Sequence, residues 1–259
     1  MTILDEIVEY KRKEVAERKS LVSLESLKEL EMYLRIPYSL KEFLLAEDKS
    51  GVISEFKRQS PSKGLINGTS KVAEVVAKYQ EAGASAVSVL TDGKSFGGAR
   101  RDLREAREVL QIPLLRKDFI IDEYQIHEAK AIGADVILLI ASILSKQEIE
   151  EFSSLAKSLG LSVLFEVHNE KELEKLCDTI DVVGVNNRNL ATFEVSIKNS
   201  ISLADKIPDR CIKVSESGIS EVEKIKELKK YGYKGFLIGE NFMKTENPGE
   251  SAIEFIGTL

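Results

Sequence analysis

From Gly51 onward the chain alternates, eight times over, between a short apolar run and a longer amphipathic stretch. The runs begin near Val52, Ala86, Pro113, Asp135, Ser162, Asp181, Cys211 and Gly235. The stretches between and after them cover 70–82, 99–110, 123–132, 145–159, 169–177, 197–206, 219–231 and 249–257. A run such as Val136-Ile137-Leu138-Leu139-Ile140 is β-branched, strand-length and apolar throughout. A strand with one wet face would alternate; one buried on both faces, as in a parallel sheet, reads this way. The residues after position 50 fit the lower size range of a (β/α)8 barrel, roughly 200 residues and up. A doubly wound open sheet is the alternative, but it has fewer strands and an early glycine-rich turn, and no such turn is found. The expected fold is therefore α/β, a (β/α)8 TIM barrel. Ala82-Gly83-Ala84, Ile132-Gly133-Ala134 and Leu159-Gly160-Leu161 each put glycine between a helix end and a strand, a C-cap signature repeated in step with the barrel units.

Residues 1–50 read differently, as an N-terminal helical extension packed on a barrel of 51–259, the two forming a single structural domain. Ile3, Leu4, Ile7 and Val8 share one helix face, and charges fill the rest through Lys19. Ser23, with Ser26 as its rival, caps a short helix through Leu30, and Ser39 caps another carrying Leu40, Phe43, Leu44 and Leu45. The net charge of −6 leaves no basic excess for a nucleic acid. No apolar run approaches membrane-spanning length. Met1 to Glu6 has neither the basic flank nor the apolar core of a signal peptide. Cys177 and Cys211 lack metal-ligand spacing and suit a reducing cytosol. These features lead us to expect a cytoplasmic protein with no metal site, no nucleic-acid partner and no membrane partner. The chain ends at Leu259, soon after the eighth unit, so no fused partner is expected; oligomeric state is not legible, with a monomer the working expectation.

The chemistry of a barrel sits at the C-terminal ends of its strands. Alternation puts Glu55 and Lys57 on one face of the first strand, roughly 7 Å apart. Ser60-Pro61-Ser62-Lys63-Gly64 follows as a loop suited to phosphate and to a flap. The third strand ends at Lys117, the fifth carries Glu166 amid Val-Leu-Phe-Val, and the sixth leads into Asn186 and Arg188. The seventh ends in Glu216-Ser217-Gly218 and the eighth in Gly239-Glu240. A lone carboxylate in such apolar company needs a partner or a shifted pKa. Taken one at a time, Glu166 could be a structural ion pair and Lys117 a solvated strand end. Together, Glu55, Lys57, Lys117, Glu166, Asn186, Arg188 and Glu216 would ring one mouth. Gly218 and Gly239 close the two strands whose loops bind phosphate through backbone N–H groups in many barrels, with Glu240 serving by its N–H and its carboxylate pointed away. His127, mid-helix between charges, is expected at the surface, and His168 in a structural role.

These segments resemble a known family. Ser54-Glu55-Phe56-Lys57-Arg58-Gln59-Ser60-Pro61-Ser62-Lys63-Gly64, Leu90-Thr91-Asp92, Arg116-Lys117-Asp118-Phe119, Phe165-Glu166-Val167-His168, Asn186-Asn187-Arg188-Asn189-Leu190 and Ser215-Glu216-Ser217-Gly218-Ile219 resemble, in order and over nearly the whole chain, indole-3-glycerol-phosphate synthases. The resemblance implies a cofactor-free ring closure in tryptophan biosynthesis, a carboxy-lyase reaction. 1-(o-Carboxyphenylamino)-1-deoxyribulose 5-phosphate loses carbon dioxide and water to give indole-3-glycerol phosphate. It implies Lys117 as general acid and Glu166 as base. Lys57 would meet the substrate carboxylate, and Glu55 and Asn186 would position these groups. Arg188 and Glu216 would add field and anchorage, and Ser217 lies beside them. Ser60, Gly218, Gly239, the Glu240 backbone and Lys57 would hold phosphate; Phe96, Phe119 and Leu138 would wall the anthranilate pocket. In the family the extension helps cover the mouth, so 39–46 is expected in a lid. Ser95, Ala99 and Glu240 depart from the commoner family residues. A related phosphosugar isomerase would need a cysteine and an aspartate on the first and sixth strands, where Glu55/Lys57 and Asn186 stand; a barrel that binds a phosphometabolite without turning it over is the other alternative.

Overall fold

The computed structural model describes residues 3–189 and 192–259. Leu190, part of one motif above, lies outside the described residues. Ten strands follow in order: β1 Val52–Phe56, β2 Gln59–Ser60, β3 Gly64–Leu65, β4 Ala86–Leu90, β5 Leu114–Lys117, β6 Val136–Ile140, β7 Ser162–Val167, β8 Val182–Asn186, β9 Ile212–Glu216 and β10 Tyr233–Ile238. Eight of them close a parallel barrel in the order β1-β10-β9-β8-β7-β6-β5-β4. The other two, β2 and β3, pair antiparallel, so the loop expected after the first strand is a small hairpin standing over the mouth.

Two apolar layers hold the barrel. Outward residues such as Val87, Val89, Ile137, Leu139 and Phe165 pack against the surrounding helices. Inward residues such as Ile53, Leu115, Val136, Leu138, Leu164, Val214 and Leu237 fill the interior. Double burial explains the unbroken apolar runs. Gly83, Gly133 and Gly160 end their helices at φ of 88°, 94° and 76°, the left-handed region that only glycine enters without strain. The expected helix at 169–177 shortens to Glu170–Leu173, and that at 197–206 becomes Lys198–Leu203 plus a 3-10 turn. Two short helices, Gly93–Phe96 and Glu240–Met243, lie in the βα loops.

The extension forms helices α1 Ile3–Leu21, α2 Leu24–Lys28, α3 Glu31–Leu34 and α4 Leu40–Leu45. Ser23, not Ser26, caps α2, accepting from the Ser26 N–H. The expectation that 39–46 covers the mouth is corrected. Leu40 donates its N–H to Ser162 Oγ (3.2 Å) at the start of β7. Leu40 and Leu44 pack into the interior layer beside Ala86, Val136 and Ile212, at the strands' N-terminal ends. An i, i+4 leucine pair thus plugs the bottom of the barrel, each buried leucine contributing about 2 kcal/mol. The mouth is instead approached by the first turns of α1, through Ile3, Leu4 and Ile7.

His127 is also corrected: its Nδ1 bonds the Tyr33 hydroxyl at 2.6 Å, and its ring stacks on Tyr33 at 6.0 Å. The chain reaches past it from α3, so it is half-buried.

Candidate active site

Strand alternation delivers the charged groups to one end. Along β5, Leu115 and Lys117 face the interior, while Arg116 turns outward to Glu128 (2.8 Å) and the Gln125 carbonyl (3.0 Å). Along β7 the same period brings Leu164, Glu166 and then His168 inward. Glu55, Lys57, Lys117, Glu166, Asn186, Arg188 and Glu216 all line one cavity of about 170 Å³. Ser60, Ser217, Phe96, Phe119 and Leu138 line it as well. Its apolar side is built by Phe96 and Phe119, with ring centroids 6.0 Å apart, and by Ile3, Leu4 and Ile7 of α1.

The floor is a tight charge cluster. Lys117 Nζ donates to Glu166 Oε2 (3.2 Å) and to Glu216 Oε2. Opposite them, Lys57 Nζ donates to Glu55 Oε1 at 2.8 Å. Two glycines make room for the carboxylates. A Cβ on Gly184 would overlap Glu216 Oε1, and one on Gly239 would stand 2.5 Å from Glu55 Oε1.

Burial would lower the Lys117 pKa, but Glu216, Glu166 and Glu55 overcome it and raise it, keeping the ammonium charged. The two carboxylates on that lysine diverge. Burial also works against an ionised Glu166, yet Lys117, His168 and Asn186 prevail and lower its pKa. Glu216 is pushed up from 4.5 to about 7, by burial first and then by Glu166, with Lys117 only partly opposing. Its Oε1 is buried without a hydrogen-bond partner among the described residues. Two like charges against one cation do not ionise equally: the surroundings favour the ionised form of Glu166 and the protonated form of Glu216.

Glu216 holds a proton in the folded protein that the unfolded chain releases at the usual carboxylate pH. The stabilisation is complete below about pH 4.5 and is lost as pH rises through about 7. Glu216→Gln is expected to be more stable than the wild type at pH 8, by on the order of 3 kcal/mol, with the gap closing toward pH 5. Parallel thermal melts at the two pH values check this; a pH-independent difference would contradict it.

Glu55, Lys57, Arg188, Ser217 and Leu237 are shared with a second compartment of about 400 Å³. Gly218, Gly239, Glu240, Lys63, Lys224 and Lys244 complete much of its lining. Ser217 (φ 69°) and Gly218 (φ 76°) are consecutive residues at positive φ, a sharp bend that ends β9 at the edge of this compartment. Asn187 holds it, donating to Ser217 O (3.1 Å) and Ser215 Oγ (2.9 Å). Ser60 lines the first compartment and not the second. The expected outward orientation of Glu240 is corrected: its carboxylate lies 3.8 Å from both Lys63 and Arg188, drawn in by two cations. His168 is likewise in the cavity wall, with Nε2 3.6 Å from Glu166 Oε1.

Asn187, Gly184 and Lys11 were not among the expected site residues, and His168 was expected only in a structural role. Asn187 stands in the quoted Asn186-Asn187-Arg188 motif, and its signal was the polar doublet at a strand end. Lys11 gave none, since one lysine among the charges of α1 looks solvated. It is 1% exposed and pairs with Asp92 (2.8 Å), Asp118 (2.9 Å) and Glu14 (2.9 Å).

Residues 4–255 match the family model described as indole-3-glycerol phosphate synthase. The chain belongs to the indole-3-glycerol phosphate synthase family. Among its relatives, the indole-3-glycerol phosphate synthase of Bacteroides thetaiotaomicron is 48% identical over 257 residues, covering 99% of this chain and 98% of that protein. The Salinibacter ruber synthase is 44% identical over 254 residues, covering 97% and 94%. Among solved structures, a mutant tryptophan synthase alpha-subunit from Pyrococcus furiosus superposes with a TM-score of 0.63 at 17% identity, over 82% of this chain and 99% of that one. That likeness concerns the barrel fold. The described residues include no helix long and apolar enough to cross a membrane, and no cluster of His, Cys, Asp or Glu set to hold a metal ion.

Proposed function

We propose that the chain is an indole-3-glycerol-phosphate synthase acting as a carboxy-lyase, and that the Lys117 cluster carries its acid–base chemistry. The observation that carries this reading is one buried ammonium, Lys117, bonded to both Glu166 and Glu216, beside an aromatic pocket and a cationic compartment. The o-carboxyphenylamino end of the substrate fits against the wall made by Phe96, Phe119 and Leu138. The phosphate fits the second compartment, against the Ser217-Gly218 turn, Gly239 and the Glu240 N–H, with Lys63 and Lys224 adding charge. The chain between the two ends then crosses Lys57, Lys117 and Glu166.

In the first step the ring carbon bearing the carboxylate attacks the sugar ketone carbon. Lys117 gives its proton to the ketone oxygen as the alkoxide forms. Loss of carbon dioxide restores the ring. In the second step the new hydroxyl leaves as water, protonated by Lys57 or by the reloaded Lys117. Glu166 takes the proton released as the indole forms. General acid and base steps of this kind are worth roughly 10²–10⁴-fold each. Asn186 orients Glu166, Glu55 orients Lys57, and Arg188 holds positive field between the two compartments.

Substrate carrying a labelled carboxyl tests the reading. One equivalent of carbon dioxide per equivalent of indole-3-glycerol phosphate is expected. Substrate consumed without carbon dioxide would overturn the lyase assignment and favour an isomerase. Binding without consumption would favour a non-catalytic barrel.

A further inference from the structure

His168 is one of only two histidines in the chain, and its surroundings are built. Glu172 Oε2 accepts from the His168 backbone N–H (2.7 Å) and lies 3.3 Å from ring Nδ1. Glu172 is itself fixed: Asn169 Nδ2 donates to its Oε1 at 2.8 Å, and Asn169 Oδ1 caps the Glu172 N–H at 3.1 Å. The His168 carbonyl accepts from Asn199 Nδ2 (3.1 Å), which also bonds the Asn186 carbonyl (2.9 Å). The ring therefore has one orientation. Its Nε2 is buried, makes no hydrogen bond among the described residues, and faces Glu166 Oε1 at 3.6 Å. Lys117 holds the other oxygen of the same carboxylate.

We infer that His168 is a positioning residue for Glu166: Glu172 fixes one ring nitrogen so that the other faces Oε1 at ion-pair distance, keeping the carboxylate turned for proton abstraction. The inference rests on the role proposed for Glu166. The chemistry follows from the pairings. An imidazole with a carboxylate beside each nitrogen is favoured in its doubly protonated form, Nδ1 donating to Glu172 and the Nε2 proton facing Glu166. An imidazolium beside Glu166 in turn favours the ionised carboxylate. The charged groups acting on the ring are Glu166 from its own strand, Glu172 from the following helix and Glu216 from β9. Burial alone would lower the His168 pKa; the Glu172 bond, then Glu166 and Glu216, raise it. His127, by contrast, is lowered by burial and Lys28.

Two histidines make the test direct. Imidazole proton resonances of the folded protein are followed against pH, with His127→Gln assigning the pair. One resonance is expected to titrate above the ordinary value and one below. Glu172→Gln should lower the His168 midpoint by about one unit, and Glu166→Gln should lower it by somewhat less. An unmoved midpoint in Glu166→Gln would overturn the contact, whatever reaction the protein catalyses. The kinetic arm uses the proposed substrate. His168→Ala should cut kcat roughly 10-fold with little change in KM, and should move the acid limb of the kcat profile upward by about one pH unit. His168→Gln, which keeps a neutral donor, should recover part of kcat but not the limb. A lowered kcat with an unmoved limb in a folded His168→Ala protein would reduce His168 to a structural role. A wild type without synthase activity would defeat the functional reading and leave the resonance titration to decide the pairing.

Discussion

Replacing Lys117 with alanine is expected to lower kcat by at least about 10³-fold while the protein still folds and binds its substrate. The magnitude is that of a lost general acid, roughly 10²–10⁴-fold, to which the lost field at the developing alkoxide is added. Lys117 is held charged by Glu216, Glu166 and Glu55, so the proton is in place at neutral pH whenever substrate arrives. Its removal strands three buried carboxylates, and Glu216, already pushed up to about 7, takes up a proton more readily still. The variant should therefore be less stable at pH 8 than at pH 6. Lys117→Arg separates the two contributions. The guanidinium keeps the charge but does not give up its proton in a protein. It should restore stability and substrate binding and leave kcat low. Steady-state kinetics with both variants, beside melting curves, check this. Near-wild-type kcat in Lys117→Arg would assign the lysine an electrostatic role and move the acid to Lys57.

The second large effect lies away from the reacting groups. Lys11→Met is expected to destabilise the protein by about 3–5 kcal/mol, the cost of breaking a buried ion cluster from one side. Lys11 reaches from α1 to Asp92, after β4, and to Asp118, after β5. Asp118 is further bonded by Arg116 (3.2 Å) and by the Thr91 hydroxyl (2.6 Å). With methionine in its place, Asp92 and Asp118 would remain buried with less compensation. For a chain of this size that corresponds to a Tm lower by roughly 10 °C. The same lysine pins the helix whose Ile3, Leu4 and Ile7 line the cavity, so KM should rise as well. Adding Asp118→Asn to Lys11→Met should recover part of the loss, because the stranded charge is removed. Denaturant melts of the single and double variants test this; a loss below 1 kcal/mol for Lys11→Met would show that the cluster relaxes or admits water.

The barrel was legible because double burial writes continuous apolar runs, and each run lies close to a strand. The mouth was legible because a period of two decides which residue faces inward: Lys117 and not Arg116, Glu166 and not Val167. Three things were not. The place of α4 depends on which end of the barrel its leucines reach, and Leu40 and Leu44 read the same as lid or plug. The burial of Lys11 depends on partners 81 and 107 residues away, Asp92 and Asp118, and no local pattern announces a long-range ion pair. The direction of the Glu240 carboxylate depends on Lys63 and Arg188, brought near by the hairpin and by β8. Glu216 was recognised as polar at a strand end, but its protonation follows from sharing one ammonium with Glu166 in a buried site, a property of the assembled cluster.

The most direct test of the central claim uses the absence of tryptophan from the chain. The protein itself then contributes no indole emission, and product indole is followed at its own wavelength, apart from the substrate's o-carboxyphenylamino emission. The purified protein is mixed with 1-(o-carboxyphenylamino)-1-deoxyribulose 5-phosphate, and emission is followed for wild type and Lys117→Ala under single-turnover conditions. Indole emission that rises with wild type and stays near baseline with the variant is the predicted result. A folded wild type that gives no emission, or a variant that matches it, would contradict the account.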